Sequence, residues 1–289
     1  MKIRSTENRH DFQERLYRRL NAYSLQGLLM NKYGDFSAGV EAIEYDDDEP
    51  FSQPFSDEEI KAKYTLTKEL HIPLYFIYYR NQKYRIYLIE EKNGSVCQEF
   101  IAQTSERGFV TWWGDHKGTI QTKPLKNGAG ERAGETIFDS TLRKGGLEWG
   151  GNIDGFIVSR DRGKIECIID NISVSVDELT GVRADPNYWF KSKNVKHGPK
   201  YEGWRPSVKL SNVLNVPHMI LTVDKKFPQK EHVGIAFISE LDPDGLVYFE
   251  NSPPYKHVME RSDVIVSYCE KLRKIVNPPK VKEKTYGEA

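Results

Sequence analysis

The sequence predicts an α/β protein in which a central mixed β-sheet is flanked by helices. Apolar segments of strand-like composition alternate with segments of helical periodicity along the chain. Hydrophobic residues make up 38% of the 289 residues and aromatic residues 12%, which is enough for a sizeable core. A chain so rich in aromatic residues is not disordered as a whole, because disordered chains are poor in them.

Charge and cysteine content narrow the class of protein further. Lys plus Arg and Asp plus Glu each number 42, so the net charge does not indicate a polybasic binder of nucleic acid or membrane, although a local basic face remains compatible with DNA binding. The three cysteines are far apart, which disfavours disulfides and structural zinc and favours the cytoplasm. No stretch resembles a signal peptide or approaches the ~18 apolar residues of a membrane span, so no membrane partner is expected.

The first half is predicted to contain two helices and five strands. Apolar residues at helical spacing, among them Phe12, Leu16 and Leu20, predict an amphipathic helix over 10–31. Ser56 followed three residues later by Glu59 predicts the start of a second helix that runs to about residue 70. Strands are predicted over 38–45, 73–79, 84–90, 96–102 and 108–113.

Two acids of the first predicted strand, Glu41 and Glu44, belong to a longer acidic stretch. Their spacing of three places them on different faces of a strand. We expect both to be solvated residues of an acidic surface.

The second half opens with a glycine-rich segment that leads into a helix over 135–144. The sequence RDRG at 160–163 is a hairpin turn signal between two apolar strands. The remaining elements are a helix over 205–214, two more strands and a helix over 260–275, followed by a tail expected to be disordered. The strands are predicted over 152–159, 164–170, 217–223 and 233–239.

The two halves share a weak internal similarity. Residues 66–79 (LTKELHIPLYFIYY) and 210–223 (LSNVLNVPHMILTV) both read as a helix end, a proline and an apolar strand. One interpretation is a common helix-to-strand connection that recurs by accident. The other is an α/β unit that occurs twice.

Carboxylates gather in the predicted hairpin of the second half. Asp154 lies in its first strand, and Glu166 and Asp170 lie on one face of its second strand because strand side chains alternate. A hairpin brings that face beside Asp154. Converging carboxylates are typical of a Mg²⁺ site, which can polarise a phosphodiester and activate water.

This arrangement resembles the PD-(D/E)XK nuclease superfamily, which includes many restriction endonucleases. The resemblance covers residues 134–240: an acid in a helix, G-x-I-D-G-F-I-V at 151–158, a turn, an apolar strand with an acid, a helix and a proline-led strand. It implies a restriction-endonuclease-like core in the C-terminal half, Mg²⁺-dependent DNA cleavage and a possible homodimer. The implied domains are an N-terminal α/β region at 1–125 that extends the sheet, dimerises or contacts DNA, a nuclease core at 126–276 and the tail at 277–289.

The resemblance also assigns roles to residues. Asp154 is the metal ligand of the first strand, and Asp139, or else Glu135, matches the acid of the family's first helix. In the second strand either Glu166-Cys167-Ile168 or Asp170-Asn171-Ile172 matches the family motif. We prefer Asp170 as the metal ligand and keep Glu166 as a further one.

The lysine of the family motif is missing in both alignments, because Ile168 or Ile172 stands at its position. That lysine orients or activates the attacking water and stabilises the developing charge. Lys164 on the same strand, or Lys191 or Lys193 of the following segment, would have to replace it.

Basic and aromatic residues alternate over 183–209, a composition suited to phosphate contact and base stacking. The residues expected to bind nucleic acid there are Lys191, Lys193, Lys196 and Arg205. The function predicted from the sequence is Mg²⁺-dependent endonuclease cleavage of DNA, of the kind found in restriction systems. The alternative is a catalytically inactive nuclease-like fold that acts as a DNA-binding or protein-interaction module.

Overall fold

A computed structural model describes residues 16–45, 54–118, 137–147, 151–174, 201–224, 233–242 and 245–248. Within these ranges, ten strands form one mixed sheet in the order β10-β9-β8-β7-β6-β1-β2-β3-β4-β5. The predicted α/β class is therefore confirmed. The strands are β1 (Ala22–Met30), β2 (Phe36–Glu44), β3 (Leu74–Arg80), β4 (Lys83–Lys92), β5 (Ser95–Ser105), β6 (Gly151–Val158), β7 (Ile165–Val174), β8 (His218–Asp224), β9 (Val233–Asp242) and β10 (Gly245–Tyr248).

Helices cover both faces of this sheet. They are α1 (Asp57–Glu69), α2 (Glu106–His116), α3 (Ile137–Lys144) and α4 (Tyr201–Leu214). Leu66 of α1 and Leu210 of α4 belong to one apolar core cluster, so these two helices share a face of the sheet. Trp113 of α2 and Phe138 of α3 belong to a second cluster on the opposite face. No helix in the described ranges is long and apolar enough to cross a membrane.

The sheet consists of the same unit twice. In the first unit β2 is antiparallel to β1 and parallel to β3, and β3, β4 and β5 form an antiparallel meander. The strands β6 to β10 repeat every one of these pairings in the same order. In each unit a helix connects the two parallel strands: α1 in the first and α4 in the second. The units meet where β1 pairs antiparallel with β6.

Backbone details confirm the interpretation of the sequence similarity as a repeated unit. After α1, His71 has a φ of 56°, and after α4, Asn215 has a φ of 55°. The Gly39 amide donates to the Pro73 carbonyl over 2.8 Å, and the Ile168 amide donates to the Pro217 carbonyl over 3.0 Å. From the helix to the strand that follows it, each residue of the second unit therefore lies 144 positions after its counterpart in the first unit.

Several local predictions are confirmed. The side chain of Ser56 accepts a hydrogen bond from the Glu59 amide and caps α1, as the spacing predicts. Strands β6 and β7 pair antiparallel, and between them Gly163 adopts a φ of 59° that favours glycine.

The helix predicted over 10–31 is wrong beyond residue 20. Residues 16–20 are helical, but Asn21 adopts a left-handed φ of 53° and Ala22–Met30 form β1. This strand lies at the centre of the sheet and carries apolar residues toward both faces. A strand buried on both faces loses the alternating pattern, and a short apolar segment of that kind also fits helical spacing.

The strand predicted over 108–113 is also wrong, because these residues lie in α2. Ser105 caps this helix by accepting from the Gly108 amide. Phe109, Val110 and Trp113 are buried at helical spacing. The segment was predicted as a strand because its aromatic and β-branched residues are typical of strands.

Strand β10 was not predicted. The predicted helix at 260–275, the tail at 277–289 and the boundary between 125 and 126 lie outside the described residues.

Candidate functional site

Asp154 lies on β6 and its carboxylate bonds to the neighbouring strand. Asp154 Oδ2 accepts from the Asn171 amide over 2.9 Å, and Oδ1 accepts from the Asn152 side chain over 3.0 Å. The backbone carbonyl of Asp154 accepts from the Tyr17 hydroxyl over 2.9 Å. The carboxylate therefore accepts a hydrogen bond from the backbone of β7 and links β6 to β7.

Asp170 lies on β7 and its carboxylate extends toward α4. Only 5% of the residue is exposed. Asp170 Oδ1 accepts from the Ser207 hydroxyl of α4 over 3.2 Å, and Oδ2 lies 2.7 Å from Nε2 of His218 on β8. Ser207 and His218 are also buried. Both carboxylate oxygens are thus engaged by a helix and a strand that pack against β7.

The two aspartates are neighbours through the backbone, because Asp154 accepts from the peptide group that follows Asp170. Their carboxylates bond to different groups: Asp154 accepts from the Asn171 amide, whereas Asp170 contacts Ser207 and His218. Within the described ranges, no three or more His, Cys, Asp or Glu side chains lie close enough together to hold a metal ion. Asp154 and Asp170 each accept hydrogen bonds from protein groups, and their role as ligands of a shared Mg²⁺ stays a prediction.

The other residues expected near this centre lie apart from it. Glu166 is 1% exposed and forms an ion pair with Arg162. Lys164 is exposed and precedes β7, six residues from Asp170, which corresponds to about 20 Å along a strand. Ile172, which stands at the family lysine position beside Asp170, is buried.

Asp139 lies on α3, which packs on the first unit. Its neighbours show the placement: the Phe138 ring packs at a tilt against Tyr79 of β3 with a centroid distance of 5.4 Å, and Thr141 bonds to the Tyr84 hydroxyl of β4 over 2.7 Å. Strands β3 and β4 are three and four positions from β6 in the sheet. The structure therefore does not bring Asp139 together with Asp154 and Asp170.

The residues expected to bind nucleic acid fall mostly outside the described ranges. Lys191, Lys193 and Lys196 are not among the described residues, and Arg205 lies in α4 with only its backbone described. Glu135, the alternative to Asp139 as the acid of the first helix, also lies outside the described residues. The segment that carries the three lysines precedes α4 directly in the sequence.

The first unit has its own buried polar centre at the position that corresponds to Asp170. The pairing of β2 with β3 and of β7 with β8 makes Glu41 equivalent to Asp170, and the helix alignment makes Lys63 equivalent to Ser207. Gln26 is equivalent to Asp154: its side chain accepts from the Ala42 amide over 2.7 Å, as Asp154 accepts from that of Asn171. The two units share this hydrogen-bonding framework while differing in charge.

Lys63 neutralises the acids of the first centre. Its ammonium group donates to Glu41 Oε1 over 2.6 Å and to the Ser24 carbonyl over 2.6 Å, and it lies 3.1 Å from Glu59 Oε1. Lys63 is 1% exposed and Glu41 5% exposed. The expectation that Glu41 is solvated is wrong, whereas Glu44 is exposed as expected.

A groove of about 930 Å³ opens on the face of the sheet that α1 and α4 share. The turn between β6 and β7 contributes Arg162 and Lys164, and α1 contributes Lys61 and Lys68. Acids are also present: Asp57, Glu69 and Glu91.

The acids of this groove are partly engaged within the protein. Glu91 bonds to Lys68 over 2.7 Å, and this bond raises the pKa of Lys68 and lowers the pKa of Glu91. Glu69 accepts from the Ile165 amide over 3.0 Å. Cations therefore face the groove from both walls.

The position of Glu41 carries a signal that sequence reasoning did not use. When 66–79 is aligned with 210–223, the strand before each helix carries a buried acid at the same place, Glu41 or Asp170. No protein-family model, curated protein or solved structure matches this chain.

Proposed function

We propose that this protein binds double-stranded DNA on a nuclease-like scaffold and does not cut it. The observation that carries the proposal is the state of Asp170: it is buried, and Ser207 and His218 occupy its two carboxylate oxygens. A catalytic metal ligand directs oxygen lone pairs toward a shared ion, whereas the contacts with Ser207 and His218 hold the Asp170 carboxylate against α4 and β8. Asp170 serves here to join β7 to α4 and β8.

Neither unit combines the groups that the family chemistry requires. The second unit has two acids, Asp154 and Asp170, but an apolar Ile172 at the lysine position. The first unit has a buried lysine, Lys63, but Gln26 in place of the first acid, and Lys63 is already bound to Glu41. Because neither unit has both acids and a free lysine at these positions, this difference between the units supports a role in binding rather than cleavage.

Basic residues of α1, of the β6–β7 turn and of the segment before α4 support nucleic acid as the partner. Lys61 and Lys164 line the groove on the face that carries α1 and α4, and the basic and aromatic segment over 183–209 extends into α4 in the sequence. Lysine side chains bind phosphates and release counterions, whereas aromatic side chains stack on bases.

The proposal is tested by measuring the affinity for a fluorescent 18-base-pair duplex at several salt concentrations. Each lysine that contacts a phosphate contributes about 0.9 to the slope of log affinity against log salt. We expect a Lys191→Ala/Lys193→Ala variant to lower the slope by about 1.8. Lys83→Ala, at an exposed position on β4 outside the groove, is the matched control and should leave the slope unchanged.

Cleavage is assayed on the same protein with Mg²⁺ or Mn²⁺ and a varied panel of plasmids and modified duplexes. The proposal expects binding without cutting. The Mg²⁺-dependent endonuclease remains a prediction of the family resemblance, and cutting that is lost in Asp154→Asn and Asp170→Asn would replace the proposal with it. Absence of any DNA binding by the wild-type protein would overturn both.

A further inference from the structure

Two hairpin turns lie at opposite ends of the central strand pair. The turn over 31–35 follows β1, and the turn over 159–164 follows β6. Because β1 and β6 are antiparallel, with Ala22 opposite Ile157 and Leu28 opposite Gly151, these turns extend in opposite directions. They occupy the same place in the two units, so the pseudo-two-fold axis of the sheet relates them.

Both turns present cations to solvent. The turn over 159–164 carries Arg160, Arg162 and Lys164 against one acid, Asp161, and its four charged side chains belong to exposed residues. The turn over 31–35 carries Lys32 and the exposed Asp35. Lys209 of α4 adds a further cation there, because its ammonium group bonds to the Gly34 carbonyl and lies 3.8 Å from Asp35.

The turn over 31–35 also exposes an aromatic ring. Tyr33 is 76% exposed, the largest value among the exposed large hydrophobic residues of the described ranges. The Lys32 ammonium group lies 5.1 Å from the centre of that ring. An exposed aromatic ring beside a lysine suits contact with a sugar or base next to a phosphate.

The spacing of the turns fits the repeat of duplex DNA. Strand β1 has nine residues, and at about 3.3 Å per residue it separates the two turns by roughly 30–40 Å when the turn residues themselves are included. One helical turn of B-DNA measures about 34–36 Å, and sites one turn apart lie on the same side of the duplex. Two related protein elements at that spacing match two equivalent positions on the DNA.

We propose that the turns over 31–35 and 159–164 contact the phosphates of one DNA duplex at positions about one helical turn apart. The inference rests on the proposed DNA-binding function and specifies how the duplex is held. Lys32 and Lys164 contact phosphates at the two ends, and the pseudo-two-fold axis of the protein coincides with a local two-fold axis of the DNA. The two unequal turns give the complex a fixed polarity.

The test compares Lys32→Ala, Lys164→Ala and the double variant on an 18-base-pair duplex. Each single variant should lower the salt slope by about 0.9 and the double variant by about 1.8. Lys83→Ala is the matched control, since Lys83 also follows an exposed hairpin turn but lies three strands from β1. On an 8-base-pair duplex, which is shorter than the separation of the turns, one turn loses contact and the wild-type slope should fall by about 0.9.

Failure of the inference is distinguishable from failure of the proposed function. If wild-type protein binds DNA but Lys32→Ala or Lys164→Ala leaves the slope unchanged, the two-turn contact is overturned and DNA binding stands. A slope independent of duplex length overturns the contact in the same way. Tighter binding of double-stranded RNA of the same sequence overturns the assignment to DNA. If wild-type protein binds neither duplex, the proposed function fails, and the inference with it.

Discussion

Leu25 of β1 and Ile153 of β6 pair with each other in the sheet and occupy the same position in the two repeated units. A residue that pairs with its own counterpart must lie on the axis that relates the two copies. The pseudo-two-fold axis therefore passes between Leu25 and Ile153, which are both fully buried. They belong to one core cluster with Leu66 of α1 and Leu210 of α4, so the cluster joins the two units.

Replacing Lys63 with methionine should destabilise the protein by about 3–5 kcal/mol, because it leaves the buried carboxylate of Glu41 without its counter-ion. Urea unfolding measures the loss. Lys68→Met on the same helix is the control: its ion pair with Glu91 is exposed and screened by solvent, so we expect a much smaller loss of stability. A Glu41→Gln/Lys63→Met protein should recover most of the stability, and no recovery would show that Lys63 acts through its packing.

Asp170→Ala should cost about 1–3 kcal/mol, because Ser207 and His218 lose their acceptor in a buried place. Thermal and urea unfolding measure this loss. Asp161→Ala, in the exposed turn between β6 and β7, should change the stability by no more than about 0.5 kcal/mol. If Asp154 and Asp170 instead repelled each other at a metal site, removing one carboxylate would relieve that repulsion. An Asp170→Ala protein as stable as wild type would therefore support a metal-binding role.

Gly39→Ala should destabilise the first unit by about 1–3 kcal/mol through steric overlap. A Cβ atom at this position would lie 2.5 Å from Thr67 Cγ2 of α1 and 3.3 Å from Leu74 Cδ1 of β3. The second unit places Ile168 on the strand and the smaller Ser211 on the helix. Thr67→Ser should therefore restore part of the lost stability when it is combined with Gly39→Ala. Equal losses in the single and double variants would contradict this account of the close approach.

Tyr84→Phe should reduce the loss of stability between pH 10 and 12. Burial raises the pKa of Tyr84 to about 12, so the unfolded chain releases this proton at a lower pH than the folded protein does. The stabilisation is complete below the unfolded pKa near 10 and is lost as the pH rises, by roughly 2 kcal/mol. Urea unfolding at pH 8, 10 and 11.5 gives the slope, and a variant with the wild-type slope would show that Tyr84 does not titrate differently in the two states.

Local signals in the sequence predicted most elements of this fold. The Ser56 cap of α1, the hairpin between β6 and β7 and the proline before β8 each depend on residues within a few positions. The prediction for β1 was wrong because this strand is buried on both faces at the centre of the sheet, and no residue of the segment itself reveals that position.

The centres around Asp170 and Glu41 were predictable only in part. Alternation along β7 placed Asp170 on a face shared with Glu166, and both are buried there. The partners of these acids come from long-range pairing: His218 is 48 residues from Asp170, and Lys63 is 22 residues from Glu41. Burial of an acid depends on such partners, so the sequence alone made Glu41 a surface residue.

The two units should unfold together, because one core cluster contains residues of α1, α4 and both central strands. Hydrogen exchange followed by mass spectrometry measures the opening free energy of β3 in the first unit and β8 in the second. We expect the same value for both strands, and Lys63→Met, which lies in the first unit, should lower it equally in both. Amides of the exposed turn at Tyr33 exchange through local opening and serve as the internal control, with no change on substitution. Exchange in β8 that is unaffected by Lys63→Met would show instead that the repeated units are separate folding domains that meet at β1 and β6.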